Sequence, residues 1–243
     1  MLKVQDLKVS YGDFVAVPSA SLSVPDGQIV SLIGTNGAGK SSFLNAVAGL
    51  VQPAAGRVFF DDEEITGKPA CEIVQKGLCL VPQGGHCFDR MSVEENLLMG
   101  SYPKEARRHR RESLERVYSL FPDLFAKRKE AAGSLSGGQR QMTAIGRALM
   151  SGPKCLLFDE ISLGLAPVVI GELYSCIRRI NQESNTAVVL VEQDTERALR
   201  ISDVCHIMLK GTIVLSGKSA TLSKEEIQKA YFGFQSRPYE CKD

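Results

Sequence analysis

The 243-residue chain contains no tryptophan and only three histidines, and 29 Lys and Arg against 28 Asp and Glu leave a formal net charge of +1. That balance argues against a generally basic surface of the kind that coats nucleic acid. No segment reaches the ~18 apolar residues that a membrane helix needs. The longest uncharged stretch, residues 41–56, is interrupted by Gly49, Pro53 and Gly56 and reads as helix then turn. The N-terminal segment is charged and alternating, without the apolar run of a secretory signal. Among the seven cysteines there is no C-x-x-C pair, and an odd number cannot all pair internally. They read as reduced structural thiols in a reducing compartment. His86 and His206 have no partner at ligand spacing, so no metal centre of His or Cys is expected. These absences describe a soluble cytoplasmic protein. The 44% hydrophobic and 23% charged residues are ordinary for a globular chain with one large domain, or a core carrying a smaller subdomain.

Strand-like runs are expected at residues 2–10, 15–24, 28–33 and 57–60, with turns at 11–13 and 25–27 and a helix at 39–48 closed by Gly49. A strand at 77–81 and a loop at 82–90 precede a block of helices reaching residue 150. Ser92 to Glu95 and Ser136 to Gln139 both have the Ser-x-x-Glu/Gln spacing of a capping box, so each opens a helix. A charged helix is expected over residues 104–121. Strands at 155–159, 187–191 and 204–209 then alternate with helices near 168–181 and 195–201. A hairpin turning at Lys210 and Gly211 and a last helix from about Lys224 follow. Alternation of this kind implies a mainly parallel sheet covered by helices, with the helical block at 90–150 as an insertion.

Three segments carry chemistry. Gly34, Thr35, Asn36, Gly37, Ala38, Gly39, Lys40 and Ser41 fit G-x-x-x-x-G-K-[ST] after an apolar strand and before a helix, the context that makes the motif meaningful. Backbone N–H groups can surround phosphate only where side chains do not intervene, and a helix N-terminus adds partial positive charge. Lys40 would span the β- and γ-phosphates of a nucleotide, and the Ser41 hydroxyl would bind Mg²⁺. Residues 155–160 form an apolar run ending in Asp159 and Glu160. Asp159 is the expected metal partner, and Glu160, one residue on, is placed to orient and polarise an attacking water. Leu135, Ser136, Gly137, Gly138 and Gln139 open a helix and read as a second anion site. One chain needs a single γ-phosphate cradle, so this second site is expected to serve the nucleotide of another subunit.

In order and spacing, residues 34–41, Gln83, 135–139 and 156–160 resemble the nucleotide-binding subunit of an ATP-binding cassette (ABC) transporter, over essentially the whole chain. Residues 90–100, 162–167, 191–193 and 230–233 bring it nearest to the LivF-type ATPase of branched-chain amino-acid importers. The resemblance implies an α/β P-loop NTPase (RecA-like) core with a mainly parallel sheet, an N-terminal antiparallel β subdomain and an inserted α-helical subdomain. The division expected is a core of residues 1–85 and 151–243 and a helical part of 86–150. ATP and Mg²⁺ are the implied cofactors. ATP contacts are implied along Gly34 to Ser42 and, from a head-to-tail homo- or heterodimer partner, along Ser136 to Gln139. Tyr11 resembles the aromatic that stacks on adenine; an exposed turn tyrosine is the alternative. Gln83 matches the glutamine that contacts Mg²⁺ or the water, and residues 84–99 would help form the groove for the coupling helix of an integral membrane permease. The implied place is the cytoplasmic face of the membrane, with a solute-binding protein as an indirect partner.

Three positions depart from the general family pattern: Ile161 stands for a proline, Ala166 for an aspartate and Gln193 for a histidine that contacts the γ-phosphate. The last two recur in the LivF branch; Ile161 does not follow from it. Glutamine at 193 can donate to a phosphate oxygen but cannot become cationic, so little pH dependence is expected from it. The basic cluster of Lys104, Arg107, Arg108, His109, Arg110 and Arg111 is flanked by Glu105 and Glu112 and reads as a solvated helix face. The function expected is ATP hydrolysis powering uptake of branched-chain or related amino acids. A urea or amide importer and a soluble ATPase of the iron–sulfur assembly type are the alternatives.

Overall fold

The computed structural model of the protein describes residues 1–232; Gly233 and Cys241 lie outside the described residues. Three strands open the chain, β1 (Leu2–Tyr11), β2 (Phe14–Val24) and β3 (Ile29–Ile33), followed by α1 (Lys40–Val47), β4 (Ala55–Phe60), β5 (Glu63–Glu64), α2 (Ala70–Gln75) and β6 (Leu78–Val81). The helices α3 (Val93–Met99), α4 (Lys104–Arg108), α5 (Arg110–Leu120), α6 (Pro122–Ala126) and α7 (Gly137–Leu149) come next. The chain then alternates through β7 (Cys155–Asp159), α8 (Pro167–Ser184), β8 (Ala187–Glu192), α9 (Thr195–Ile201) and β9 (Val204–Leu209), and ends in β10 (Thr212–Lys218) and α10 (Lys224–Phe232).

The strands form one sheet in the order β5-β4-β1-β2-β10-β9-β3-β8-β7-β6. Strands β9, β3, β8, β7 and β6 pair in parallel, while β1 pairs with β2 and β4 in antiparallel register. The sequence explains the split. Strands β1 and β2 alternate buried and exposed positions over long stretches, as a sheet with one wet face does. Strands β3, β7 and β8 are unbroken runs of buried residues, as a parallel sheet covered on both faces requires. Helix α1 packs its Phe43, Leu44 and Val47 into a cluster on one face with Leu32, Leu157 and Val189. On the other face Leu156, Phe158, Val188 and Leu190 meet Leu97, Val117, Ile145 and Ile177 from the helices.

Residues 82–154 form the entire connection between the adjacent parallel strands β6 and β7. Two details of that block differ from expectation. The helix expected over 104–121 is broken at His109, whose φ of −103° and ψ of 14° separate α4 from α5. Helix α6 begins after Phe121 with Pro122 in its first turn, where the missing N–H costs nothing. The basic residues there pair along their own helices, Arg108 with Glu105 at 2.8 Å and Arg111 with Glu115 at 3.1 Å, on an exposed face. Both expected capping boxes are complete. Cys155, Cys176 and Cys205 are buried free thiols, and burial pushes all three above the usual thiol range.

Candidate functional site

The loops that leave the carboxyl ends of β3, β6, β7 and β8 meet at one edge of the parallel sheet, which is where open α/β sheets bind ligands. A cavity of about 450 Å³ opens there, lined by Asn36, Gly37, Ala38, Gly39, Lys40, Ser41, Ser42, Gln83 and Glu160, with Phe14, Ala16 and Leu163 completing the wall. Gly39 immediately precedes α1 with φ 97° and offers no side-chain cap, so the first amides of the helix have no side-chain acceptor. A Cβ at Gly39 would lie 2.7 Å from the carbonyl oxygen of Ala16, so both backbone conformation and space demand glycine. The loop is a preformed concavity of N–H groups suited to an anion.

Lys40 is 3% exposed, and its Nζ donates to the carbonyls of Gly34 at 2.8 Å and Thr35 at 2.9 Å. The same ammonium lies 2.9 Å from Glu160 Oε1. The other Glu160 oxygen accepts from Gln193 Nε2 at 2.6 Å. Glu160 thus sits between a cation on the glycine loop and an amide at the end of β8. Its backbone is left-handed, with φ 45°, a conformation a residue with a Cβ adopts only when its surroundings hold it there. One residue earlier, Asp159 Oδ1 accepts from the Ser41 hydroxyl at 2.9 Å. Burial raises the Asp159 carboxyl above its usual range, opposed by the Ser41 hydrogen bond. The buried Asp159 carboxylate, the Ser41 hydroxyl bonded to it and the Gln83 side-chain carbonyl, which shares the cavity wall with Ser41, form a hard-oxygen donor set. Such a set fits Mg²⁺, which takes one or two protein oxygens and leaves the rest to water and phosphate.

Tyr11 ends β1 half-exposed, and its hydroxyl donates to Ser42 Oγ at 3.4 Å, which puts the ring beside the start of α1. Phe14, on the next strand and 67% exposed, lines the cavity as Tyr11 does not. No pattern in the sequence marks Phe14 as part of the site; its place there follows only from the folded cavity wall.

Ser136, Gly137, Gly138 and Gln139 are not among the residues of that cavity. The Ser136 Oγ accepts from the Gln139 N–H at 3.3 Å, and Gln139 Oε1 accepts from the Ser136 N–H at 3.2 Å. Gly138 is set by packing, since a Cβ there would lie 2.6 Å from Val169 Cγ1 of α8. The 84–99 segment exposes Phe88 and Met99, with Leu50 and Tyr102 also exposed.

A profile of the ABC transporter family matches residues 17–162. The chain therefore belongs to that family, and with this fold it is an ATP-binding cassette ATPase of the α/β P-loop type. It is 40% identical, over 96% of its own length and 100% of the relative's, to the high-affinity branched-chain amino acid transport ATP-binding protein BraG of Pseudomonas aeruginosa. Among solved structures it resembles the ADP conformation of MJ1267, an ATP-binding cassette of an ABC transporter, with 28% identity, a TM-score of 0.79 and 94% and 93% of the two chains covered. It also resembles the dimeric post-hydrolysis state of the cassette MJ0796 bound to ADP and Pi, with 25% identity, a TM-score of 0.76 and 90% and 99% covered. No helix among the described residues is long and apolar enough to cross a membrane.

Proposed function

We propose that this chain hydrolyses ATP to power a membrane importer of branched-chain amino acids or close relatives of them. The observation that carries the chemistry is the convergence of Lys40, Ser41, Gln83 and Glu160 on one cavity whose glycine wall suits phosphate, with the Asp159 carboxylate hydrogen-bonded to Ser41. The amides of residues 34–42 bind the phosphates, Lys40 neutralises charge on the β- and γ-oxygens, and Tyr11 stacks on the adenine. Glu160 takes a proton from water as the water oxygen attacks the γ-phosphorus in line; the bond from the γ-phosphorus to the bridging oxygen breaks, and ADP leaves with that oxygen. Gln193 holds the second oxygen of Glu160 and fixes the direction of the first. Held by Ser41, Asp159 and Gln83, Mg²⁺ would supply charge neutralisation of the leaving and transferred phosphates.

Ser136 keeps its hydroxyl hydrogen after accepting from Gln139, so it can still donate to a phosphate oxygen. We read residues 135–139 as the segment that closes on the nucleotide of a second cassette, and residues 86–150 as the helical part that moves with it. The exposed apolar residues Phe88 and Met99 suit a helix of a permease docking from the cytoplasmic face, with a solute-binding protein as the indirect partner.

Glu160→Gln tests the chemistry. It should retain nucleotide affinity, because Lys40 keeps two carbonyl acceptors, and lose roughly a hundredfold or more of the steady-state hydrolysis rate. Parental hydrolysis by that variant would remove Glu160 from the reaction. The transport reading predicts co-purification with integral membrane subunits and ATP-dependent leucine uptake by the assembled complex. Uptake of urea or amides instead would change the cargo, and a soluble complex without membrane subunits would favour the iron–sulfur assembly type.

A further inference from the structure

Strand β8 ends in Glu192, a carboxylic acid only 2% exposed in the middle of a parallel sheet. It is not among the residues that line the 450 Å³ cavity. The five preceding residues of the strand are Ala, Val, Val, Leu and Val, and packing alone would accept another apolar side chain in their place. A buried carboxylate is costly unless its oxygens are hydrogen-bonded, and those of Glu192 are bonded in an informative way. Its Oε1 accepts from the Ser162 hydroxyl at 2.8 Å and also from the Tyr174 hydroxyl of α8. Its Oε2 accepts from the backbone N–H of Gln193 at 3.3 Å.

These partners stand on both sides of Glu160. Ser162 lies two residues after it, and Gln193 is the residue whose side chain holds Glu160 Oε2. The Glu160 N–H itself donates to the Val191 carbonyl at 3.2 Å, so the left-handed backbone at Glu160 begins where the β7–β8 ladder ends. Residue 161, between Glu160 and Ser162, is a buried isoleucine. The Ser162–Glu192–Tyr174 bonds tie the loop that follows Glu160 to strand β8 and helix α8.

We propose that Glu192 is a positioning residue for hydrolysis: it latches the loop that carries Glu160 to the strand end that carries Gln193, and so holds the Glu160 carboxylate in its productive direction. This rests on the assignment of Glu160 as the base. The latch acts on the rate of the chemical step and not on nucleotide capture, because residues 34–42 bind the phosphates without it.

The test uses the full chain with Mg²⁺ and ATP for steady-state hydrolysis, a fluorescent ATP analogue for equilibrium affinity, and thermal melting as a folding control. Glu192→Ala should lower kcat at least tenfold while the analogue Kd stays within threefold. Glu192→Gln keeps an oxygen acceptor for both hydroxyls and should recover kcat to within threefold of the parent. Tyr174→Phe should lower kcat by itself, and adding it to Glu192→Ala should lower kcat no further. If Glu192→Ala does not fold, Tyr174→Phe and Ser162→Ala each remove one donor, and parental kcat in both would overturn the latch. It is equally overturned if Glu192→Ala keeps kcat within twofold, if Kd rises as much as kcat falls, or if the two substitutions are additive. Glu160→Gln is run alongside: an active Glu160→Gln defeats the assignment of the base, whereas an inactive one beside a parental Glu192→Ala defeats only the latch.

Discussion

Helix α1 starts at Gly39 without a side-chain cap, and α7 starts at Ser136 inside a complete capping box. Both starts are glycine-rich, and both look in sequence like places for an anion. In α1 no side-chain acceptor competes for the first N–H groups, and glycine is held there by a φ of 97° and a close carbonyl. In α7 the first turn satisfies itself, and its glycine at 138 is held by Val169 of α8 rather than by an anion-shaped loop. The difference is that one helix start is built to be completed by a ligand and the other is complete alone. On the dimer reading, the first captures nucleotide and the second only recognises nucleotide already captured.

The sharpest way to break that contrast is Lys40→Ala. It leaves the buried Glu160 carboxylate without its cation, which costs on the order of 3–5 kcal/mol, and it should abolish detectable nucleotide binding. Denaturant unfolding and fluorescence titration would measure the two losses. ATP at a hundred times the parental Kd should raise the stability of the parent by about 2.7 kcal/mol and that of the variant not at all. Gly39→Ala forces a Cβ against the Ala16 carbonyl and should weaken nucleotide binding more than about tenfold, or ~1.4 kcal/mol. Ser136→Ala should act the other way round. Affinity of the chain for nucleotide should stay parental, while hydrolysis by the assembled dimer falls and stability drops by about 1 kcal/mol from the lost cap. If Ser136→Ala weakens nucleotide binding by the monomer as Gly39→Ala does, the contrast between the two helix starts is wrong. The smallest effect belongs to Ser223, which forms the same reciprocal pair with Glu226 ahead of α10, at 2.9 and 3.1 Å, far from the cavity residues in sequence. Ser223→Ala should lower Tm by about 2–4 °C at most and leave hydrolysis unchanged.

Legibility followed the range of the interactions. Helix α9 and strands β7 and β9 stand where hydrophobic period and capping signals put them, because those signals act within a few residues. The helix expected over 104–121 breaks at His109, which nothing in its charged sequence announces. The glycine motif and the Asp159–Glu160 pair were legible because their chemistry needs those residues in a fixed local order. Phe14 was not, since an exposed ring has no sequence pattern of its own until a cavity wall exists beside it. Ser136 was legible as a helix cap, and its place outside the cavity agrees with the expectation that this segment serves the nucleotide of another subunit.

By itself the sequence determined that strands alternate with helices, that a glycine loop precedes α1, and that two acids end β7, since each is set by neighbours along the chain. The tertiary structure alone decided that β3 lies between β8 and β9, bringing four loop ends to one edge, and that Lys40 and Gln193 grip Glu160 from opposite sides. It also turned Glu192 from a polar residue at the end of an apolar run into a buried tie between two loops. Sheet order and the partners of a buried charge depend on packing between residues from 18 to more than a hundred positions apart, which local pattern does not encode.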